Sequence, residues 1–176
     1  MKQNVVLNYK FIENVIENNY LEAKKIALKS TKQQTVLSGA IMSKDIWNLP
    51  AGDSFVAQFL EDANVNYLWK NTKGKGSLSL SFESVFEKGV NADYWIAPGY
   101  FSSKEQMLSS NKLYEKFTTF KEDKIYSPSI KKGKTGGIIY YELAPTRPDL
   151  VLKDIIKITN PELLPNYKLT FFEKMI

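Results

Sequence analysis

Ser77–Tyr100 reads SLSLSFESVFEKGVNADYWIAPGY, and the rest of the chain is arranged around it. The spacing predicts a capped amphipathic helix, a tight Gly89–Asn91 connection, a short apolar strand over Tyr94–Ala97 and a Pro98-Gly99 loop. Phe82, Val85 and Phe86 share one helix face, while Glu83 and Glu87 lie four apart on another. Ser81 is the expected N-cap, which puts Glu83 in the first turn, where the helix dipole favours a solvated carboxylate. The stretch is one αβ unit with a loop at the carboxyl end of its strand.

Upstream, Ile12, Val15, Ile16, Ala23, Ile26 and Ala27 recur at threes and fours, which predicts a long helix from about Tyr9 to Lys29. TVLSG, Thr35–Gly39, reads as a buried strand closed by a turn, followed by a loop, AIMSKDIWNLPAGD. Gly52-Asp53 is read as the cap of a helix whose apolar stripe is Phe55, Val56, Phe59, Leu60 and Ala63. Tyr67–Trp69 is a candidate short strand, and KNTKGKGS a polar loop into Ser77.

Downstream, Ser102–Glu105 fits a capping box, and Leu113, Phe117 and Phe120 continue a helical pattern. Lys124–Tyr126 is read as a strand, and Ser127–Tyr141 as a basic, glycine-rich loop ending in the apolar quartet Ile138–Tyr141. Pro148 suits the first turn of a last helix with Val151, Leu152, Ile155 and Ile156 as its core face. Pro161 and Pro165 end it, and Lys168–Phe172 is expected as an edge strand. Strands alternating with helices give an α/β fold with a mainly parallel sheet, whose ligands meet the loops at the carboxyl ends of the strands. Those loops are Ser38–Asp53, Pro98–Ser103 and Ser127–Arg147.

With 176 residues, 43% of them hydrophobic, the chain can bury one core. It has no histidine and no cysteine, which excludes Ser-His and Cys-His catalysis, ordinary zinc sites and disulfides. The net charge of +5 is spread lysine, densest at Lys131, Lys132 and Lys134, and no recognition motif for nucleic acid accompanies it. MKQNVVLNYK holds no apolar run of signal-peptide length, and no membrane span is read. Gly133-Lys134-Thr135 ends like a phosphate-binding loop, but Pro128 stands where the first glycine is required.

Taken in order, TVLSG, Trp47, GDSFVAQFLEDA, SLSFESVFEKGVNADYWI and RPDLVLKDIIKITNPELLP resemble the C-terminal lobe of class III periplasmic substrate-binding proteins of ABC importers. These handle ferric siderophores, haem or cobalamin, and the likeness is strongest to the Bacteroidetes type. It runs from about Thr35 to the end. The resemblance implies a Rossmann-like, three-layer lobe over 32–176, preceded over 1–31 by part of the long helix that joins two lobes. It implies a partner N-terminal lobe and an export signal outside this chain, so that the full-length protein would be periplasmic or lipid-anchored.

The resemblance also assigns roles. Ligand contacts would come from Trp47, Tyr100, Tyr140, Tyr141 and Arg147, with Arg clamping oxygens and flat aromatics covering a metal chelate. Each aromatic is equally at home as packing, and Arg147 as a helix-start ion pair. In SFESVF, Glu83 matches the residue that docks on the ABC permease membrane subunits. YYELAPT, Tyr140–Thr146, departs from the usual pattern and leaves the ligand's identity open. No catalytic residue, metal ligand or cofactor is implied, and the chelate would be held by its organic shell. The competing readings are a small enzyme using Asp45, Asp53 or Glu142, whose spacing does not pair them, and a basic nucleic-acid-binding domain.

Overall fold

In the computed structural model, which describes residues 2–176 and side chains from Lys10 onward, a five-stranded sheet has the order β4-β1-β6-β7-β8. Its strands are β1 (Thr35–Ser38), β4 (Asn66–Tyr67), β6 (Tyr94–Ile96), β7 (Ile125–Ser127) and β8 (Glu173–Lys174). The first four are parallel, with Leu37 opposite Trp95 and Trp95 opposite Ile125; only β8 runs antiparallel. Val36, Leu37, Trp95, Ile96 and Ile125 are all buried, as continuous apolar runs must be in a covered parallel sheet. The α/β fold with a mainly parallel sheet is therefore observed.

Pro148 opens α7 (Pro148–Thr159), where its missing N–H costs nothing, and Val151, Leu152, Ile155 and Ile156 are buried as the pattern requires. This helix packs on α1 (Lys2–Ala27) and on α2 (Phe55–Asp62). Among the described side chains of α1, Ala23 and Ala27 near its carboxyl end are buried, whereas Phe11, Ile12 and Val15 are exposed. Asp62 holds that end in place, receiving Tyr20 Oη at 2.6 Å and Lys24 Nζ at 2.6 Å.

In α3 (Phe82–Gly89), Ser81 Oγ accepts the Ser84 N–H as the N-cap, Val85 is buried, and Phe82 and Phe86 pack edge-on against Phe117. The segment before it is not merely a lead-in. Ser77–Ser81 is β5, and it pairs with β3 (Ile46–Pro50), which pairs in turn with β2 (Ala40–Ser43). The stretch read as a loop, AIMSKDIWNLPAGD, is thus mostly a hairpin in a second, antiparallel sheet. Trp47 and Leu49 face the core opposite Leu80 and Leu78, while Asn48, Ser79, Ser77 and Pro50 form the other face.

Other differences are local. The cap of α2 is Ser54, whose side chain accepts the Ala57 N–H, rather than Asp53, and Phe55 is 87% exposed instead of belonging to the core stripe. Ser103, not Ser102, caps α4 (Lys104–Ser110), and Gln106 reaches back to the Ser102 N–H. Leu113–Phe120 is a 3-10 turn and a four-residue helix, α5 (Thr118–Lys121), because Asn111 caps a new turn there. The Ile138–Tyr141 quartet opens a short helix, α6 (Ile139–Leu143). The edge strand lies at Glu173–Lys174, since the N–H groups of Thr170, Phe171 and Phe172 are taken by Asp154 instead of a sheet partner.

Candidate ligand cavity

The parallel strands end in turns that only certain residues tolerate. Gly39 follows β1 with φ +78, and a Cβ there would lie 1.9 Å from the Asn48 carbonyl oxygen. Ala97 follows β6 at φ 57, a left-handed conformation that strains a non-glycine residue, and its carbonyl accepts the N–H groups of Gly39 and Gly99. The next loop is pinned from below. Ser127, at the end of β7, donates its hydroxyl to the Phe101 carbonyl at 2.6 Å and accepts the Ser129 N–H. Tyr100 is thereby held out from the strand ends, 68% exposed.

Over these ends lies a cavity of about 210 Å³, adjoined by a second of about 470 Å³ that shares Val56, Phe59, Tyr140 and Tyr141 as walls. The first is floored by Ser38, Gly39, Ile96 and Gly99 and flanked by Asn48, Pro50 and Ser77 of the antiparallel sheet. The second is closed by Phe55, Ala144, Pro145 and Pro148. Among the described residues, no charged one lines either.

Two residues expected at a ligand surface, Tyr140 and Tyr141, line both cavities, and a third, Tyr100, lies outside the linings but against Tyr141. Tyr140 stands edge-on to Phe171, Phe172 and Tyr141, at 5.5 to 5.8 Å between ring centroids, and Tyr141 meets Tyr100 at 6.2 Å. Burial pushes the Tyr140 phenol up to about 12, and burial together with Tyr100 raises Tyr141. Both are therefore neutral hydroxyls near pH 7, able to donate and accept.

The other two do not join them. Trp47 is fully buried, stacked on Trp95 at 5.2 Å, and gives its indole N–H to the Ser38 carbonyl, so it is a core anchor and no ligand-facing group. Arg147 grips Asp149 with two hydrogen bonds of 2.9 Å, and it lies outside both linings. Asp149 is fully buried; the hydrogen bonds and charge of Arg147 outweigh that burial and keep its carboxyl below the usual range. The guanidinium is committed to the start of α7 and is not a free clamp.

Glu83 is exposed in the first turn of α3, as expected, without a salt bridge among the described residues. It follows β5, whose opposite end, Ser77, borders the first cavity; four strand steps put roughly 13 Å between Ser77 and Ser81. Asp45 lies in the β2–β3 turn, Asp53 pairs with Lys73 at 3.8 Å, and Glu142 rests against Gly137. None of the three lines either cavity.

Sequence reasoning missed Phe55, Asn48 and Ser77 as cavity residues. The signal available for Phe55 was its place at the first position of α2, directly after the Ser54 cap, where a side chain points off the end of the core stripe. A further hollow of about 530 Å³ lies by Tyr94, Tyr126, Lys157, Lys168 and Lys174, near the amino end of β6. Its Lys157 ammonium is spent on the Leu164 and Pro165 carbonyls. Among the described residues, no helix is long and apolar enough to cross a membrane, and no group of three or more His, Cys, Asp or Glu side chains could hold a metal ion.

No family model matches the chain. It is 27% identical over 127 residues to an uncharacterized lipoprotein of Methanocaldococcus jannaschii, covering 72% of this chain and 29% of that one. Among solved structures it is similar to a possible iron-binding, periplasmic solute-binding protein of Staphylococcus epidermidis, with a TM-score of 0.63, 21% identity and coverage of 86% of this chain and 54% of that one. It is also similar to Staphylococcus aureus IsdE, solved with heme (TM-score 0.60, 17% identity, covering 86% and 57%). A third is Helicobacter pylori CeuE, solved with Ni(II) (TM-score 0.59, 15% identity, covering 87% and 46%). The chain therefore has the fold of the iron- and haem-type periplasmic solute-binding proteins, over about half of the length of those solved chains.

Proposed function

We propose that this chain is the C-terminal lobe of the substrate-binding component of an ABC importer. It captures an iron chelate or related metal-organic ligand against the Tyr100, Tyr140 and Tyr141 surface and delivers it to a membrane permease. The observation that carries this reading is the aromatic cavity at the carboxyl ends of β1, β6 and β7 and the apolar one that adjoins it, with no charged side chain among the described residues of either lining. The shared fold supports it. A concave apolar site with a few neutral hydroxyls suits a bulky organic shell, and the lack of His and Cys leaves metal ligation to that shell.

In this reading residues 1–31 belong to a helix joining two lobes, 32–176 form the ligand-binding lobe, and a second lobe closes over the ligand. The assembled protein works in the periplasm or on a lipid anchor. Glu83, exposed and held at a helix start, docks on arginines of the permease. Titration of the buried tryptophans with ferric siderophores, haem and cobalamin tests the binding half: saturable quenching by one of them is expected, and no response to any would overturn it. Glu83→Arg in the transport-competent protein is expected to abolish uptake while leaving chelate affinity unchanged; lost affinity would move the residue out of the docking role.

A further inference from the structure

Charged residues make up 24% of this chain, yet among the described residues none lines either cavity. The charges that stand near are committed or turned away. Arg147 is bidentate to the buried Asp149. Lys131 donates to the Leu169 carbonyl and opens onto the other hollow. Lys132 and Lys134 are exposed on the loop before α6 and belong to neither lining, and Glu142 packs toward Gly137. What faces the cavity is Phe55, Phe59, prolines, the neutral phenols of Tyr140 and Tyr141, and the uncharged polar groups of Asn48, Ser38 and Ser77.

Such a surface discriminates by charge. An anionic chelate pressed onto it would lose hydration with no cation to compensate, whereas an electroneutral one loses little and gains apolar and hydroxyl contacts. Resting on the importer reading, we infer that the ligand of this cavity is an electroneutral metal chelate of the trihydroxamate class, in which three hydroxamate anions balance one ferric ion. The same surface offers triply anionic tris-catecholates and carboxylate-rich chelates no compensating cation.

The test uses this chain with two probes, a neutral ferric trihydroxamate and a ferric tris-catecholate, and follows tryptophan quenching at low and high salt. The trihydroxamate is expected to bind at least about tenfold more tightly, with an affinity that changes less than about twofold between 0.02 and 0.5 M salt, since a neutral ligand has no Coulomb attraction to screen. Ser77→Lys, an exposed position on the cavity wall, is expected to reverse the order of the two probes while the melting temperature stays put. Tighter binding of the catecholate by the unaltered chain would overturn the charge inference and leave the importer reading standing. Binding of neither probe would overturn the trihydroxamate assignment, and the importer reading falls with it only if haem and cobalamin also fail to bind.

Discussion

The carboxylate of Asp154, in the middle of α7, receives the backbone N–H of Phe171 at 2.6 Å. The same group also takes the N–H of Thr170 and of Phe172 and the Tyr167 hydroxyl, so one buried side chain fastens the C-terminal segment to the core. Phe171 and Phe172 in turn form the bed under Tyr140. Asp154→Ala leaves three N–H groups without an acceptor and is expected to cost about 3 kcal/mol or more. Urea unfolding measures this, and Asp154→Asn, which keeps an acceptor oxygen, should lose less.

Asp62 sets the acid side of the stability profile. Burial alone would raise its carboxyl, but the hydrogen bonds and charge of Lys24, with Tyr20 and Gln58, outweigh it and hold it below the usual range. A depressed folded value stabilises above the unfolded aspartate value of about 3.9, and that contribution disappears as pH falls through the folded value. Lys24→Met is thus expected to cost about 1 kcal/mol at neutral pH and nothing at the acid extreme. The two denaturation curves should converge below about pH 4.

At Gly39 the backbone has φ +78 and the nearest atom to an added Cβ is the Asn48 carbonyl oxygen. The carbonyl of Gly39 also accepts the Trp95 indole N–H at 2.9 Å. Gly39→Ala must move either β1 or β3 and is expected to destabilise by at least about 2 kcal/mol. A thermal melt within a degree of the parent would contradict this geometry.

Trp47 distinguishes packing from recognition. Trp47→Phe shrinks a fully buried ring that touches Trp95, Tyr114 and Phe117, so a loss of about 2 kcal/mol is expected from the void and the lost Ser38 bond. Chelate affinity should stay within about twofold, because Trp47 lines neither cavity and reaches the first only through the Ser38 carbonyl. A large loss of affinity with unchanged stability would return Trp47 to the ligand surface.

Much of this architecture was legible where local chemistry and tertiary packing agree. Ser81 caps α3 and Pro148 starts α7 because caps act within a few residues, and Val85 or Ile155 is buried wherever the helix period says so. The antiparallel sheet was not, because AIMS and IWNLP are short, and the proline at Pro50 and the bulge between Ile41 and Ser43 break the alternation. SLSLS did alternate, but the helix signal beside it dominated the reading. At the candidate site, Tyr140 and Tyr141 line both cavities. Trp47 and Arg147 lie outside both linings, because burial against Trp95 and capture by Asp149 depend on neighbours rather than on residue type.

The central claim, that Tyr140 and Tyr141 wall the chelate-binding surface, is tested most directly by titrating the Tyr140→Ala/Tyr141→Ala chain beside the parent with the same ferric chelate. Loss of two stacked aromatic contacts is expected to weaken binding by about 2 to 3 kcal/mol, roughly a hundredfold, with the folded circular-dichroism spectrum retained. Equal affinity in the two proteins would contradict it.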